Sequence, residues 1–329
     1  MGLRLPTRRV LLLLVALEFI AVWWLLCVLT GQIDAMTYLA AGERLNAGHA
    51  LYSLVPGDRL LTIDTTYYNT PLLYPPLIAV LWRPLAALPA MLGFALWYVA
   101  ATAAVCGAIW YVARNLRTSA LLALLIFSAG IGSQLSGANV NAFVMLSALL
   151  LWSQADSHPS VGVLAGVLTA IKLSPGVFIV WLIAQRRWKA LGWAVAGLVG
   201  GVIVGVVGAG YDANLQAIDI LRKAAPQNLT ATGITGISWA TTAVEVLGTI
   251  SVLLLARRPA ASFRAAVATI ALGAPAVSLL TAAYGILLVP PSGHGTDHAP
   301  SSPASEDLEA TSGLSAPADG SRAPSRTLD

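Results

Sequence analysis

Asp34 and Tyr38 stand four residues apart in Asp34-Ala-Met-Thr-Tyr38, just past the first long apolar run. On a helix that spacing places both side chains on one face. The chemistry open to such an aspartate is proton transfer. A carboxylate at the membrane face of so apolar a chain is costly and asks for a functional explanation. The alternative is an acid at a helix start, where Asp caps exposed amides and suits the helix dipole. Spacing alone leaves both readings open.

Lys172 is the second residue with chemistry to offer. It lies in Ile171-Lys172-Leu173-Ser174-Pro175, midway along an apolar run. A lysine there pairs with a fixed charge, contacts a phosphate or snorkels to the interface. Glu18 and Glu245, also in apolar runs, are candidate partners. Pro175 interrupts the helix ladder locally and can free a carbonyl. Gly48 and Tyr52 read as turn and interface-anchoring positions, and His49 as an exposed loop residue. Tyr74-Pro75-Pro76 opens the next apolar run, where proline costs little because its missing N–H would be unpaired anyway. Asn139 and Asn141 read as helix caps rather than ligands. Gly162 and Gly166, and Gly197, Gly201 and Gly205, recur every fourth residue and predict close helix packing.

These residues sit on a frame that composition defines. Hydrophobic residues make up 57% of the 329, charged residues 10%, and the mean hydropathy is +0.76. Soluble domains carry roughly a quarter charged residues. We therefore expect an all-α polytopic membrane protein in the plasma membrane, with membrane lipids as its surroundings and no nucleic-acid partner. Apolar runs near 10–30, 72–89, 90–112, 119–135, 139–152, 161–184, 190–209, 237–256 and 265–289 predict about nine transmembrane helices. The loop 31–70 follows the first, with an interfacial helix around Asp34. Cys27 and Cys106 lie inside apolar runs and read as small hydrophobes.

Arginine and lysine set the orientation. Alternating nine spans places Arg4, Arg8, Arg9, Arg83, Arg186, Arg187, Lys189, Arg257, Arg258 and Arg264 on one side. Arg44, Arg59, Arg114, Arg117, Arg222, Lys223 and Asp156 fall on the other. The positive-inside rule then gives N-in and C-out, with loop 31–70 outside. Residues 1–290 form the expected transmembrane domain. The tail 291–329, rich in Ser, Pro and Ala, has the composition of a disordered segment. No HExxH, CxxC, P-loop, GxSxG or Asp-x-Asp motif occurs. Metal sites, cofactors and ATP hydrolysis are therefore not expected.

Taken in order, Asp34, Tyr38, Gly48, Tyr52, Tyr74-Pro75-Pro76-Leu77, Arg83-Pro84, Leu88-Pro89, Gly137-Ala-Asn139, Ile171-Lys172-Leu-Ser-Pro175 and Arg186-Arg187-Trp188 carry a resemblance. The chain resembles glycosyltransferase family 87, mostly actinobacterial enzymes of the GT-C fold that use polyprenyl-phosphate mannose. The resemblance implies an inverting, metal-independent mannosyltransferase acting on a cell-envelope glycolipid or lipoglycan. It makes Asp34 the catalytic base. Tyr38, Tyr52, Tyr74, Lys172, Arg44 and Arg59 become candidates for binding donor or acceptor, and Gly48, Pro75, Pro76 and Pro175 structural positions. The chain departs from the family in two ways. It lacks the further spans expected near its end, as in a truncated form that a protein partner would complete. Ser278-Leu-Leu-Thr-Ala-Ala-Tyr284 stands where a tryptophan-histidine pattern is usual. The competing readings are a transporter or lipid-handling protein, and a catalytically inactive relative.

Overall fold

Tyr74-Pro75-Pro76 starts a helix, but at 10 residues that helix is too short to cross a membrane by itself. Helix α2 (Leu77–Ala86) follows Pro76, whose φ of −60° already suits a helix. It lies along α1 (Ile33–Asn46). Asn46 donates to the Arg83 carbonyl at 2.9 Å, and Arg83 Nε donates back to Asn46 Oδ1 at 3.1 Å. The two helices thus run side by side in the same direction, with Asp34 and Tyr74 at one end and Asn46 and Arg83 at the other. In this computed structural model, residues 33–52, 72–113, 126–127, 130–132, 137–223 and 231–273 are described, with 10, 13, 14, 17, 18, 21, 284 and 287.

Among the described residues every regular element is a helix. After α2 come α3 (Ala90–Ala113), α4 (Asn141–Gln154), a 3₁₀ turn (Pro159–Val161), α5 (Gly162–Ile171), α6 (Gly176–Ala184) and α7 (Trp188–Ala209). Then follow α8 (Tyr211–Lys223), the short α9 (Ala231–Thr235), α10 (Ala240–Leu254) and α11 (Pro259–Gly273). Among the described helices, α3 and α7 are long and apolar enough to cross a bilayer. Both carry exposed apolar side chains, among them Met91, Val99, Val202 and Val207, as lipid-facing helices do.

The run 161–184 is a helical hairpin rather than one span. Lys172 leaves the helical region, at φ −147° and ψ 123°, and ends α5. Pro175 then starts α6. Each arm rises only about 15 Å at 1.5 Å per residue. Gly162, at the start of α5, packs against Ala190 near the start of α7. Helix α5 therefore starts where α6 ends, and Lys172 sits at the hairpin tip.

Two ends of the bundle follow from these contacts. Lys172 reaches Asn141, at the start of α4. Arg187 reaches the Leu151 carbonyl and Asp156, at the end of α4. Gln185 donates to the Ala256 carbonyl, which puts the α10–α11 turn at the Arg187 end as well. Helix α3 runs parallel to α4: Trp97 lies beside Phe143, and Gly107 faces Leu146. Trp152, Trp181, Phe178 and Phe263 pack together between α4, α6 and α11.

The nine-span alternation needs correction on two counts. Arg83 stands beside Asn46 of α1, not across the membrane from it. Asp156 and Arg187, assigned to opposite sides by alternation, form an ion pair of 2.7 Å. The glycine expectation holds. Buried Gly162 and Gly166 of α5 meet the backbone of α7 at Ala190 and Ala194, and Gly197 meets Val163. The tail 291–329 lies outside the described residues.

Candidate functional site

At the Lys172 end, five elements bring polar groups together in an otherwise apolar interior. Asp34 enters from the first turn of α1 and is half-buried. The Asn139 side chain faces its carboxylate, and the Lys172 ammonium lies within electrostatic reach. Tyr38, one turn along α1, is fully buried. Its ring packs edge-on against Tyr74 with centroids 5.3 Å apart, and against Trp97 at 6.0 Å. The shared face expected of Asp34 and Tyr38 is therefore the face turned toward Tyr74. The Tyr38 hydroxyl is buried without a hydrogen bond of good geometry; the nearest polar groups to it are the Tyr74 hydroxyl and the Val140 backbone.

Two asparagines organise the cluster. Asn139 Oδ1 accepts the Asn141 backbone N–H at 2.8 Å, and Asn139 Nδ2 donates to the Tyr74 hydroxyl at 3.1 Å. Asn141 Oδ1 accepts from Lys172 Nζ at 2.8 Å and from the Tyr284 hydroxyl at 2.9 Å. The turn before them is strained. Ala138 has φ 47°, in the left-handed region that costs a non-glycine residue ~1–2 kcal/mol. The Trp97 indole N–H holds its carbonyl at 2.7 Å, so the surroundings impose the conformation.

Electrostatics at Asp34 run in opposing directions. Burial pushes its carboxyl above the ordinary carboxylate range, while the Asn139 hydrogen bond and the Lys172 charge act to lower it. General-base work favours a carboxyl raised above its ordinary range, and Asp34 is shifted in that direction. Lys172 supplies a cation beside it. Among the described residues, no three His, Cys, Asp or Glu side chains come together as a metal would need.

The expected site residues divide. Asp34, Tyr38, Tyr74 and Lys172 converge. Tyr52 joins indirectly, its hydroxyl donating to the Tyr74 carbonyl at 2.6 Å. Arg44 lies about 15 Å along α1 from Asp34 at 1.5 Å per residue. It donates to the Ala50 carbonyl at 2.6 Å, tying down the turn in which Gly48 takes φ 74°. Arg59 is outside the described residues. Pro75, Pro76 and Pro175 sit at helix starts, as expected. The charged neighbour of Lys172 is Asp34, not Glu18 or Glu245; Glu245 instead packs against Gly273. Asn139 and Asn141 do more than cap a helix, and Tyr284 was not anticipated as a member. Their signal in the sequence was two amides and a tyrosine in strongly apolar surroundings.

The model of glycosyltransferase family 87 matches residues 72–291. That segment holds Tyr74, Asn139, Asn141, Lys172 and Tyr284, while Asp34 precedes it. A polyprenol-phosphate-mannose-dependent alpha-(1-2)-phosphatidylinositol pentamannoside mannosyltransferase of Mycobacterium tuberculosis is 28% identical over 254 residues, covering 74% of this chain and 57% of that protein. Its namesake in Mycolicibacterium smegmatis is 29% identical over 171 residues, covering 50% of this chain and 40% of that protein. The chain thus spans about half the length of the curated relatives it matches. No solved structure matches it. With the family match extending over two thirds of its length, the chain belongs to glycosyltransferase family 87.

Proposed function

We propose that this chain is a membrane-embedded mannosyltransferase that takes mannose from a polyprenyl-phosphate donor and passes it to a phosphatidylinositol-type glycolipid. The observation that carries the reading is the meeting of Asp34 and Lys172 at one buried polar cluster. Asp34 accepts the proton of the acceptor hydroxyl as that oxygen attacks the anomeric carbon. The bond from that carbon to the phosphate oxygen breaks, and polyprenyl phosphate leaves. Attack opposite the leaving group inverts the anomeric centre. Lys172 faces the charge that gathers on the phosphate, so the step proceeds without a metal or other cofactor.

The arrangement of charge supports placing the site at the outer face of the plasma membrane. Arg186, Arg187, Lys189, Arg257 and Arg258 lie at the end opposite Asp34, where Arg187 pairs with Asp156. Basic residues in short connections mark the cytoplasmic side.

The test is transfer of labelled mannose from polyprenyl-phosphate mannose to endogenous lipid in membranes carrying the protein. Asp34→Asn keeps size and hydrogen bonding but removes the base. We expect transfer to fall by roughly 10²-fold or more, the usual worth of a general base, at unchanged protein level. Near-normal transfer by that variant removes Asp34 from the mechanism. Absence of any transfer by the unaltered chain would favour the inactive-relative reading.

A further inference from the structure

The reading of Asp34 as base leaves open what aims its carboxylate, and Asn139 is in a position to do so. An amide side chain has one acceptor oxygen and two donor hydrogens. At most sites the two ends can exchange by a flip, and the assignment rests on the surrounding network. Here the network admits one orientation. The Asn141 N–H points at Oδ1 from 2.8 Å, so that atom must be the acceptor. The NH₂ group is thereby turned the other way. One hydrogen goes to the Tyr74 hydroxyl at 3.1 Å, and the group as a whole faces Asp34. All of the donor and accepting capacity in use at Asn139 is committed, and none of it is interchangeable.

The backbone that carries Asn139 is held as firmly. Ala138 is one of two described non-glycine residues with positive φ, at 47°. Trp97 of α3 clamps its carbonyl at 2.7 Å. Trp97 also packs against Tyr38 and Trp82, with centroids 6.0 and 5.1 Å away. The aromatic wall that seats α1 is thus the wall that fixes the turn before α4. A residue kept in a strained turn, buried to 2% exposure, with its amide locked by its own helix, fits a positioning role better than a cap alone. A cap would need only Oδ1.

We infer that Asn139 is a positioning residue: its amide, oriented by the Asn141 N–H, holds the Asp34 carboxylate ionised and aimed at the acceptor hydroxyl. This rests on the base reading of Asp34. The groups facing Asp34 from the surrounding elements are Lys172 at the α5–α6 tip, Tyr74 ahead of α2 and, on its own helix, Tyr38. Lys172 and Asn139 both favour the ionised form. Removing the amide donor disfavours it, so the base protonates at higher pH, and activity is lost sooner as pH falls.

Two substitutions separate positioning from capping. Asn139→Ser keeps an oxygen that can cap the Asn141 N–H but is too short to reach Asp34. Asn139→Asp keeps the cap and turns an acceptor toward Asp34, so the two carboxylates titrate as a pair. The measurements are the pH profile of kcat for mannose transfer, the donor KM, and the infrared carbonyl stretch of protonated Asp34, identified by its absence in Asp34→Asn. We expect the acid limb of kcat and the infrared titration to move up together, by about one pH unit or more in Asn139→Asp. Donor KM should change little. An unmoved titration in both variants, with the fold intact by circular dichroism, overturns the inference while leaving the base reading standing. Full activity in Asp34→Asn overturns the base reading, and this inference with it. The infrared titration needs no turnover, so it decides the point even where a variant is inactive.

Discussion

Gly166→Ala tests the seam that places Lys172. A β-carbon on Gly166 falls inside contact distance of the Ala194 carbonyl, with the Leu198 nitrogen at 2.5 Å. Ordinary contact begins at 3.4 Å, and the obstacles are backbone atoms that cannot rotate away. Helices α5 and α7 would have to part by roughly 1 Å, an overpacking change that costs about 1–3 kcal/mol. Against this, alanine gains about 0.5–1 kcal/mol over glycine in a helix interior. The net is a loss of about 0–2.5 kcal/mol. Gly192, in α7, has nothing within 4 Å of its would-be β-carbon. Gly192→Ala should therefore hold or raise stability by the propensity gain alone. Thermal unfolding of the purified protein in detergent, followed by circular dichroism, compares the two. Because α5 ends at Lys172, Gly166→Ala should also weaken donor use, whereas Gly192→Ala should not. Equal stability in the two variants would refute the seam argument, since both replace a helical glycine and differ only in what the new methyl meets.

Two more outcomes follow from the same geometry. Lys172→Met keeps the length of the side chain and removes its charge; we expect donor KM to rise by about tenfold or more, as for loss of a charge-assisted contact, with acceptor KM unchanged, measured by varying polyprenyl-phosphate mannose. Ala47 and Ser157 are exposed at opposite ends of the bundle, so in a variant lacking Cys27 and Cys106 an impermeant thiol reagent should label Ala47→Cys from outside intact cells and spare Ser157→Cys; the reverse pattern would put the site on the cytoplasmic face.

What the sequence made legible is what depends on local spacing. Asp34 and Tyr38 do share a face, and the Pro75-Pro76 pair does precede a helix. The glycines spaced by four do mark the α5–α7 contact. Hydropathy, by contrast, is blind to direction. Two helices of 10 and 9 residues joined at Lys172 have the same apolar content as one straight span over 161–184. Only the polar Lys172, Ser174 and the proline betray the turn. Likewise α2 is apolar enough to look like a span, yet its Arg83 is fixed to Asn46 of α1.

These two errors have opposite parity, and that explains what was missed. Treating α2 as a crossing reverses every element after it; treating 161–184 as a single span restores the direction from α7 onward. Between them, α3 and α4 come out upside down. That inversion sent Asp156 to the wrong end, although it pairs with Arg187 at 2.7 Å. It also sent the start of α4 away from Asp34, so Asn139 and Asn141 could be read only as caps. Once α2 stays on one side and 161–184 turns back on itself, Asn139 and Lys172 arrive at the same end as Asp34. The hydrogen bond from Lys172 to Asn141 at 2.8 Å is the contact that requires it. The placement of the polar cluster therefore rests on the number of reversals between Asp34 and Lys172, which hydropathy cannot count and the contacts can.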